Sequence, residues 1–270
     1  MFTARDYLEL FVGQARLKNE LQYYMEAMEN GTKLNILLMG LSGYGKTFLG
    51  DIIFNYVRYK RGESYYYYLC NKSLDSIQTD RPNVFLDEAH LIVDPEFIYP
   101  HLDSGQLNFI IATNEYYTLK EPLSNRCVNL QIEEYSVDDL QEICRRYFEK
   151  QTLTIPEEFA HRVAEIGGFP REVLQISKRL YIIFGSRGIP ENLDRFNYLI
   201  KSTLGLSERG NISLSTSYTD LLRTLGGQAG IETIVSCLGL PKQVILNDIE
   251  PALLRAGVIQ ISSKGRKLNG

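Results

Sequence analysis

The sequence contains no tryptophan, three histidines and four cysteines among its 270 residues. The cysteines, Cys70, Cys127, Cys144 and Cys237, form no C-x-x-C pair, which argues against a disulfide framework and a structural zinc site. No segment approaches the roughly eighteen apolar residues of a membrane helix. The start, MFTARDYLELF, has no basic segment followed by an apolar stretch, so we expect no secretory leader and a cytoplasmic location.

An excess of positive charge is also absent. The chain has 29 Lys and Arg against 33 Asp and Glu, a formal net charge of −4. This balance argues against a surface that binds nucleic acid all over, but it leaves room for one local basic patch. The length is sufficient for two or three compact units of an ordinary globular protein.

The first half alternates helical and strand patterns. Apolar residues at helical spacing run from about residue 6 to Asn30-Gly31, and a short apolar run follows at Asn35 to Met39. Val84 to Leu86 and Phe109 to Ala112 are further runs typical of a parallel sheet covered on both faces. Four consecutive tyrosines, Tyr65 to Tyr68, predict another buried strand. Residues 1–134 are therefore predicted to form an α/β domain.

The second half favours helices. Four helical patterns predict a helical lid over residues 135–207: Val137 to Gln151, Pro156 to Ile166, Pro170 to Phe184 and Glu191 to Leu204. The polar stretch Gly205 to Leu214 resembles a linker. Three helical patterns, a strand at Val258 to Ser262 and a basic turn then predict a winged-helix domain over residues 208–270.

The clearest chemical motif lies between the first predicted strand and the next helix, and it fits G-x-x-x-x-G-K-[ST]. Its residues are Gly40, Leu41, Ser42, Gly43, Tyr44, Gly45, Lys46 and Thr47. Glycines allow the backbone amides to surround phosphate, Lys46 adds a positive charge, and the Thr47 hydroxyl can bind Mg²⁺. The motif predicts an ATP site.

Two adjacent carboxylates follow the apolar run Val84 to Leu86, at the strand end where α/β sheets hold their ligands. Asp87 can hold the magnesium shell through water, and Glu88 can polarise the water that attacks the γ-phosphate. Asn114 follows the next apolar run and can position that water from the same edge of the sheet.

From these motifs the chain resembles AAA+ ATPases. That resemblance implies that Asn114 is the sensor-1 residue and that Arg126 is an arginine finger that reaches the ATP of a neighbouring subunit. The Arg126-Cys127 pair is similar to that of clamp-loader subunits.

A closer resemblance is to the RuvB family of Holliday-junction branch-migration motors. Phe11-Val12-Gly13-Gln14 and Tyr135 match segments that line the adenine pocket in that family. Gly167 to Arg171 matches its sensor-2 motif, which implies that Arg171 contacts the γ-phosphate. Asp248 to Pro251, with the glycine and basic residues after it, matches its winged helix. The nucleotide contacts expected outside the P-loop are Phe11, Val12, Phe48, Tyr135 and Arg171.

The sequence departs from that family in one place. Only eighteen residues separate His90 from Phe109, where RuvB carries β-hairpins, including one that docks its partner RuvA. This short segment has no room for such a hairpin, which argues against recruitment by RuvA.

Basic residues near the end of the chain are candidates for DNA contact. Lys264, Arg266 and Lys267 lie in the predicted wing and could bind phosphates without reading bases.

The sequence thus predicts a RuvB-like ATPase that uses ATP and Mg²⁺ to remodel or translocate DNA in recombination or replication. It would act as a homo-oligomer that forms a hexameric ring or arc, with a replication or recombination protein as partner. Two alternatives stay open: a clamp- or helicase-loader that uses ATP as a switch, and a DNA-binding assembly protein whose oligomerisation ATP controls.

Overall fold

The computed structural model describes residues 2–207 and 210–269. The chain forms two compact units, Met1–Ser136 and Val137–Gly270. Within the described residues, no helix is long and apolar enough to cross a membrane.

A five-stranded parallel sheet is the centre of the first unit, with the strand order β2-β3-β4-β1-β5. The strands are β1 (Asn35–Met39), β2 (Tyr65–Leu69), β3 (Asn83–Asp87), β4 (Asn108–Thr113) and β5 (Val128–Gln131). Every residue of β3 and β4 is buried. Alternate residues lie on opposite faces of the sheet, since Leu38 packs into one core cluster and Leu37 into the other. Both faces therefore require apolar residues, which explains the nearly continuous hydrophobic runs.

Helices cover this sheet. They are α1 (Ala4–Leu8), α2 (Ala15–Glu29), α3 (Lys46–Arg61), α4 (Tyr99–Asp103) and α5 (Glu121–Ser124), with 3-10 turns at Ala89–Leu91, Pro95–Phe97 and Tyr116–Thr118. Met25 of α2 and Ile53 of α3 are fully buried in the cluster that contains Leu38. Every residue between β3 and β4 is described, and this segment forms short helical turns and α4 without a β-hairpin.

The tyrosine run forms the predicted strand, but the prediction that it is buried was wrong. β2 is an edge strand that pairs only with β3, and Tyr67 and Leu69 are 46% and 62% exposed. Because aromatic residues favour a pleated surface whether it is central or peripheral, the composition alone could not place the strand within the sheet.

The four predicted lid helices are present in the second unit as α6 (Val137–Lys150), α7 (Glu157–Gly167), α8 (Pro170–Arg187) and α9 (Leu193–Leu199), followed by a π turn at Ile200–Leu204. Aromatic residues fill their core. Phe159 of α7 stacks on Phe196 of α9 with their ring centroids 4.1 Å apart.

A winged helix completes the second unit. Its helical elements are α10 (Ile212–Thr224), α11 (Ile231–Leu238), α12 (Lys242–Val244), a π turn at Ile245–Ile249 and α13 (Glu250–Arg255). β6 (Leu206–Ser207) and β7 (Gly210–Asn211) form a short antiparallel pair, whereas β8 (Gln228–Ala229), β9 (Ile259–Ser262) and β10 (Gly265–Leu268) form the wing sheet in the order β8-β10-β9.

The linker predicted at Gly205 to Leu214 is shorter than expected. Residues 208 and 209 lie outside the described residues, but α10 already begins at Ile212. Leu214 packs against the winged-helix core, so its burial extends the helix into a stretch whose polar composition indicated a loop.

Candidate nucleotide site

The P-loop connects the end of β1 to the start of α3. Gly43 and Gly45 have left-handed backbones, with φ values of 82° and 90°. A Cβ atom on Gly45 would lie 3.0 Å from Cε2 of Phe11, so both the backbone conformation and the close aromatic ring favour glycine there. The buried Lys46 ammonium donates hydrogen bonds to the carbonyls of Gly40, at 2.8 Å, and Leu41, at 3.0 Å. The loop and α3 thus form a positively charged cradle that suits phosphate.

Thr47 and Asp87 lie beside this cradle. The Thr47 hydroxyl donates to Oδ2 of Asp87 at 2.7 Å, and the backbone N–H of Glu88 donates to Oδ1 at 3.0 Å. The described residues contain no cluster of three or more His, Cys, Asp or Glu side chains that could hold a metal. Mg²⁺ bound to a nucleotide needs no such cluster, because phosphates and waters supply most of its oxygen ligands. The pair Thr47 and Asp87 therefore fits a magnesium ion held together with ATP.

Glu88 follows Asp87 directly and has a left-handed backbone, with φ at 56°. Such a conformation is strained for a residue with a side chain and often marks functional sites. Its Oε2 atom lies 3.4 Å from Nδ1 of His90, which in turn lies 3.4 Å from the hydroxyl of Thr113 at the end of β4. Through His90, the Glu88 carboxylate after β3 is connected to Thr113 at the end of β4.

Asn114 comes directly after β4, whose end adjoins that of β3. Its Oδ1 atom is buried and has no hydrogen-bond partner among the described residues. Because a buried carbonyl without a partner costs free energy, this atom indicates a position that a ligand or its water completes.

An aromatic group lies behind the P-loop. The Phe11 ring meets the rings of Phe48, at 6.1 Å, and Tyr135, at 6.4 Å, and Tyr44 contacts Tyr135 at 5.6 Å between centroids. The Tyr135 hydroxyl donates to the backbone carbonyl of Tyr44 at 2.9 Å. Val12 follows Phe11 and is partly buried. Phe11 is buried and Phe48 is exposed, so the group forms an apolar patch next to the phosphate cradle that suits a planar base.

Gln14 holds the segment that carries Phe11. Its side-chain amide donates to the Glu133 carbonyl at 2.8 Å and accepts from the Glu133 N–H at 2.9 Å. This two-way hydrogen bond connects the N-terminal segment to the chain after β5, close to Tyr135. The sequence marked Gln14 only as part of a motif.

Arg126 lies at the opposite end of β1 from the P-loop. Asn35, the first residue of β1, donates to the Arg126 carbonyl at 3.0 Å. The guanidinium donates to Asp103 Oδ1 and to the Pro122 carbonyl, both at 2.8 Å, and lies 4.7 Å from the Tyr99 ring centre. A five-residue strand spans about 13 Å, so Arg126 is remote from the P-loop of its own chain.

Arg171 belongs to the second unit, where it lies in the first turn of α8 and is exposed. Gly168 ends α7 with φ at 69°, and a Cβ atom there would lie 2.3 Å from Cζ of Arg255 in α13. The helix start that presents Arg171 is thus in close contact with the winged helix.

The three basic residues of the wing have different environments. Arg266 donates to both carboxylate oxygens of Glu250, at 2.8 and 3.1 Å, and the Tyr218 hydroxyl donates to Glu250 Oε1 at 2.9 Å. Hydrogen bonding to Glu250 raises the pKa of Arg266. The Arg266 guanidinium is thus paired inside the fold, whereas Lys264 and Lys267 are exposed, which favours the two lysines over Arg266 as candidates for DNA contact.

No motif in the sequence marks Tyr67 as a residue of this site. The Tyr67 hydroxyl, on the edge strand β2, donates to Oδ2 of Asp87 at 2.8 Å.

A P-loop, an Asp-Glu pair and a polar residue at neighbouring ends of a parallel sheet, followed by a helical lid, define a P-loop ATPase of the AAA+ class. Domain III of the replication initiation protein DnaA from Thermotoga maritima has a similar fold, with a TM-score of 0.58 at 18% identity over 73% of this chain and 96% of that one.

Within that class the chain is similar to RuvB over nearly its whole length. The Holliday junction branch migration complex subunit RuvB of Mycoplasma pneumoniae is 29% identical over 95% of this chain and 92% of that protein, and that of Mycoplasma genitalium is 27% identical with the same coverage. The Thermotoga maritima RuvB Holliday junction branch migration motor superposes with a TM-score of 0.77 at 22% identity, covering 97% of this chain and 94% of that one. Residues 208–269 match the family model of the RuvB C-terminal winged helix domain. The predicted resemblance and fold class are confirmed.

Proposed function

We propose that this chain is a DNA motor of the RuvB kind, which hydrolyses ATP to move or remodel branched DNA during recombination. The observation that carries the proposal is the assembly of Lys46, Thr47, Asp87, Glu88 and Asn114 at one edge of the sheet, in a chain whose C-terminal part matches the RuvB winged helix. We further propose three domains, comprising residues 1–134, 135–207 and 208–270.

In the proposed reaction the P-loop amides and Lys46 bind the β- and γ-phosphates. Thr47, and Asp87 through water, would hold Mg²⁺, whose charge would offset that of the phosphates. Glu88 accepts a proton from the attacking water, and Asn114 orients that water with its otherwise unpartnered oxygen. Phe11, Val12, Phe48 and Tyr135 form the apolar surroundings of the base.

Arg126 acts in the ATP site of a neighbouring subunit. Its distance from its own P-loop favours this role, and Asp103 and Tyr99 hold its guanidinium in a fixed position. The site is then complete only in a homo-oligomer, which we propose is a hexameric ring or arc.

By its match to the sensor-2 motif, Arg171 is proposed to sense the γ-phosphate. Because the helix that carries it begins beside Gly168, which contacts Arg255 of the winged helix, a shift of Arg171 on hydrolysis is passed to the wing. Lys264 and Lys267 of the wing bind DNA phosphates without sequence preference.

The absence of a hairpin between β3 and β4 favours a second candidate, a loader that places a clamp or helicase on DNA. Strand movement by the chain alone supports the motor, and activity only with a clamp or helicase supports the loader.

The test is the steady-state ATPase rate without DNA and with single-stranded, duplex or four-way-junction DNA. The motor predicts stimulation by DNA, strongest with the junction. A Lys264→Ala/Lys267→Ala variant should lose the stimulation and keep the basal rate, whereas Glu88→Gln should bind ATP without turnover. A rate that no DNA changes would refute the proposal and make the wing a protein-binding surface.

A further inference from the structure

The tyrosine run of β2 lies next to the nucleotide site, and the hydroxyl groups of its first three residues donate to acidic side chains. Tyr65 donates to Asp51, Tyr66 to Asp80 and Tyr67 to Asp87, with shortest distances of 2.8 Å in each case. Of these three carboxylates, only Asp87 belongs to the proposed magnesium site.

The Asp87 carboxylate has a donor on each side. Oδ2 accepts from the Thr47 hydroxyl at 2.7 Å and from the Tyr67 hydroxyl at 2.8 Å, and Oδ1 accepts from the Glu88 N–H at 3.0 Å. Three donors in fixed directions prevent the carboxylate from rotating about its χ2 bond. Removal of one of them would let it turn away from Thr47.

Tyr67 itself is fixed and remains a donor. Its ring packs edge-on against Phe85 at 5.3 Å and 87°, and Phe85 is its direct neighbour in the β2–β3 register. Its hydroxyl donates to Oδ2 of Asp87 at 2.8 Å. Hydrogen bonds to a charged carboxylate are among the stronger ones in proteins.

We propose that Tyr67 is a positioning residue, which holds the Asp87 carboxylate against Thr47 and so sets the affinity of the site for magnesium. The proposal rests on the proposed ATP site. Groups that orient a metal-binding carboxylate strengthen metal binding because they fix the carboxylate before the metal arrives. Tyr67 would not touch the metal or the nucleotide, and its whole effect would pass through Asp87.

The test uses Tyr67→Phe, which keeps the ring on Phe85 and removes only the hydroxyl. Tyr66→Phe is the matched control, because it removes a hydroxyl–carboxylate bond from the adjacent residue of the same strand, at Asp80. Binding of a fluorescent non-hydrolysable ATP analogue to the full chain is titrated with Mg²⁺ from none to excess. Mn²⁺ binding by electron paramagnetic resonance gives a second readout.

We expect Tyr67→Phe to need about 10-fold more Mg²⁺ for half-maximal binding, with unchanged affinity for the analogue in the absence of metal. Tyr66→Phe should behave like the unmodified chain. Unchanged or tighter metal dependence in Tyr67→Phe, or an equal shift in Tyr66→Phe, would overturn the proposal. If the unmodified chain binds no nucleotide, the proposed function fails and this inference with it, whereas metal-dependent binding that Tyr67→Phe leaves intact refutes the inference alone.

Discussion

Glu250 and Arg266 form an ion pair inside the winged helix, with the Glu250 side chain 2% exposed and that of Arg266 15% exposed. Removing Arg266 would leave the carboxylate of Glu250 buried without its cation, a change that costs far more than the pair contributes. We expect Arg266→Ala to lower the free energy of unfolding by about 3 kcal/mol. Chemical denaturation measures this.

Lys267→Ala is the control for that experiment. Lys267 is the adjacent residue of β10 and is exposed, so its loss should change stability by less than about 0.5 kcal/mol. Equal effects of the two substitutions would contradict the assignment of Arg266 to the fold. The different environments of these two neighbours were predictable from the sequence. Side chains alternate along a strand, so Arg266 and Lys267 must face opposite sides of the wing sheet.

Asp87 and Glu88 were recognisable in the sequence because an apolar strand directly precedes them. The contacts between distant residues were not. The bonds of Tyr67 to Asp87 and of Asp103 to Arg126 join residues 20 and 23 positions apart on different elements, and no local pattern marks them.

At the scale of elements, Gln14 connects the N-terminal segment to the chain that follows β5. Replacing Gln14 by Ala removes both hydrogen bonds to Glu133 and frees the segment that carries Phe11. Two such exposed bonds together contribute about 1 to 2 kcal/mol, and about 1.4 kcal/mol corresponds to a factor of ten. We therefore expect nucleotide affinity to fall by about 10-fold while its magnesium dependence stays the same. Isothermal titration calorimetry with ADP tests this.

Gln22→Ala serves as its control, because Gln22 bonds Glu26 within α2. If Gln14→Ala binds ADP as tightly as Gln22→Ala does, the connection does not shape the base pocket.

Helices and central strands were predictable because their apolar period is local, whereas the position of a strand in the sheet is not. The tyrosine strand β2 was read correctly as a strand and incorrectly as buried, because its edge position depends on the order of all five strands. The helix α10 begins earlier than predicted for a similar reason. Leu214 packs against the winged-helix core, and no local pattern in the sequence indicates that contact.

At the scale of the whole molecule, the remote position of Arg126 predicts that active sites form between subunits. Arg126→Ala and Glu88→Gln should each be nearly inactive alone. A mixture should regain ATPase activity, because a Glu88→Gln subunit supplies Arg126 to a neighbour that retains Glu88. ATPase rates at several mixing ratios and constant total protein measure this. If no ratio exceeds the sum of the separate variants, Arg126 does not act in trans.

The motor itself is tested most directly with a synthetic four-way junction of homologous arms. The unmodified chain, with ATP and Mg²⁺ and no other protein, should convert the junction into two duplex products, and Glu88→Gln should bind the junction without converting it. Rapid ATP hydrolysis that leaves the junction intact would contradict the claim that this chain is a DNA motor.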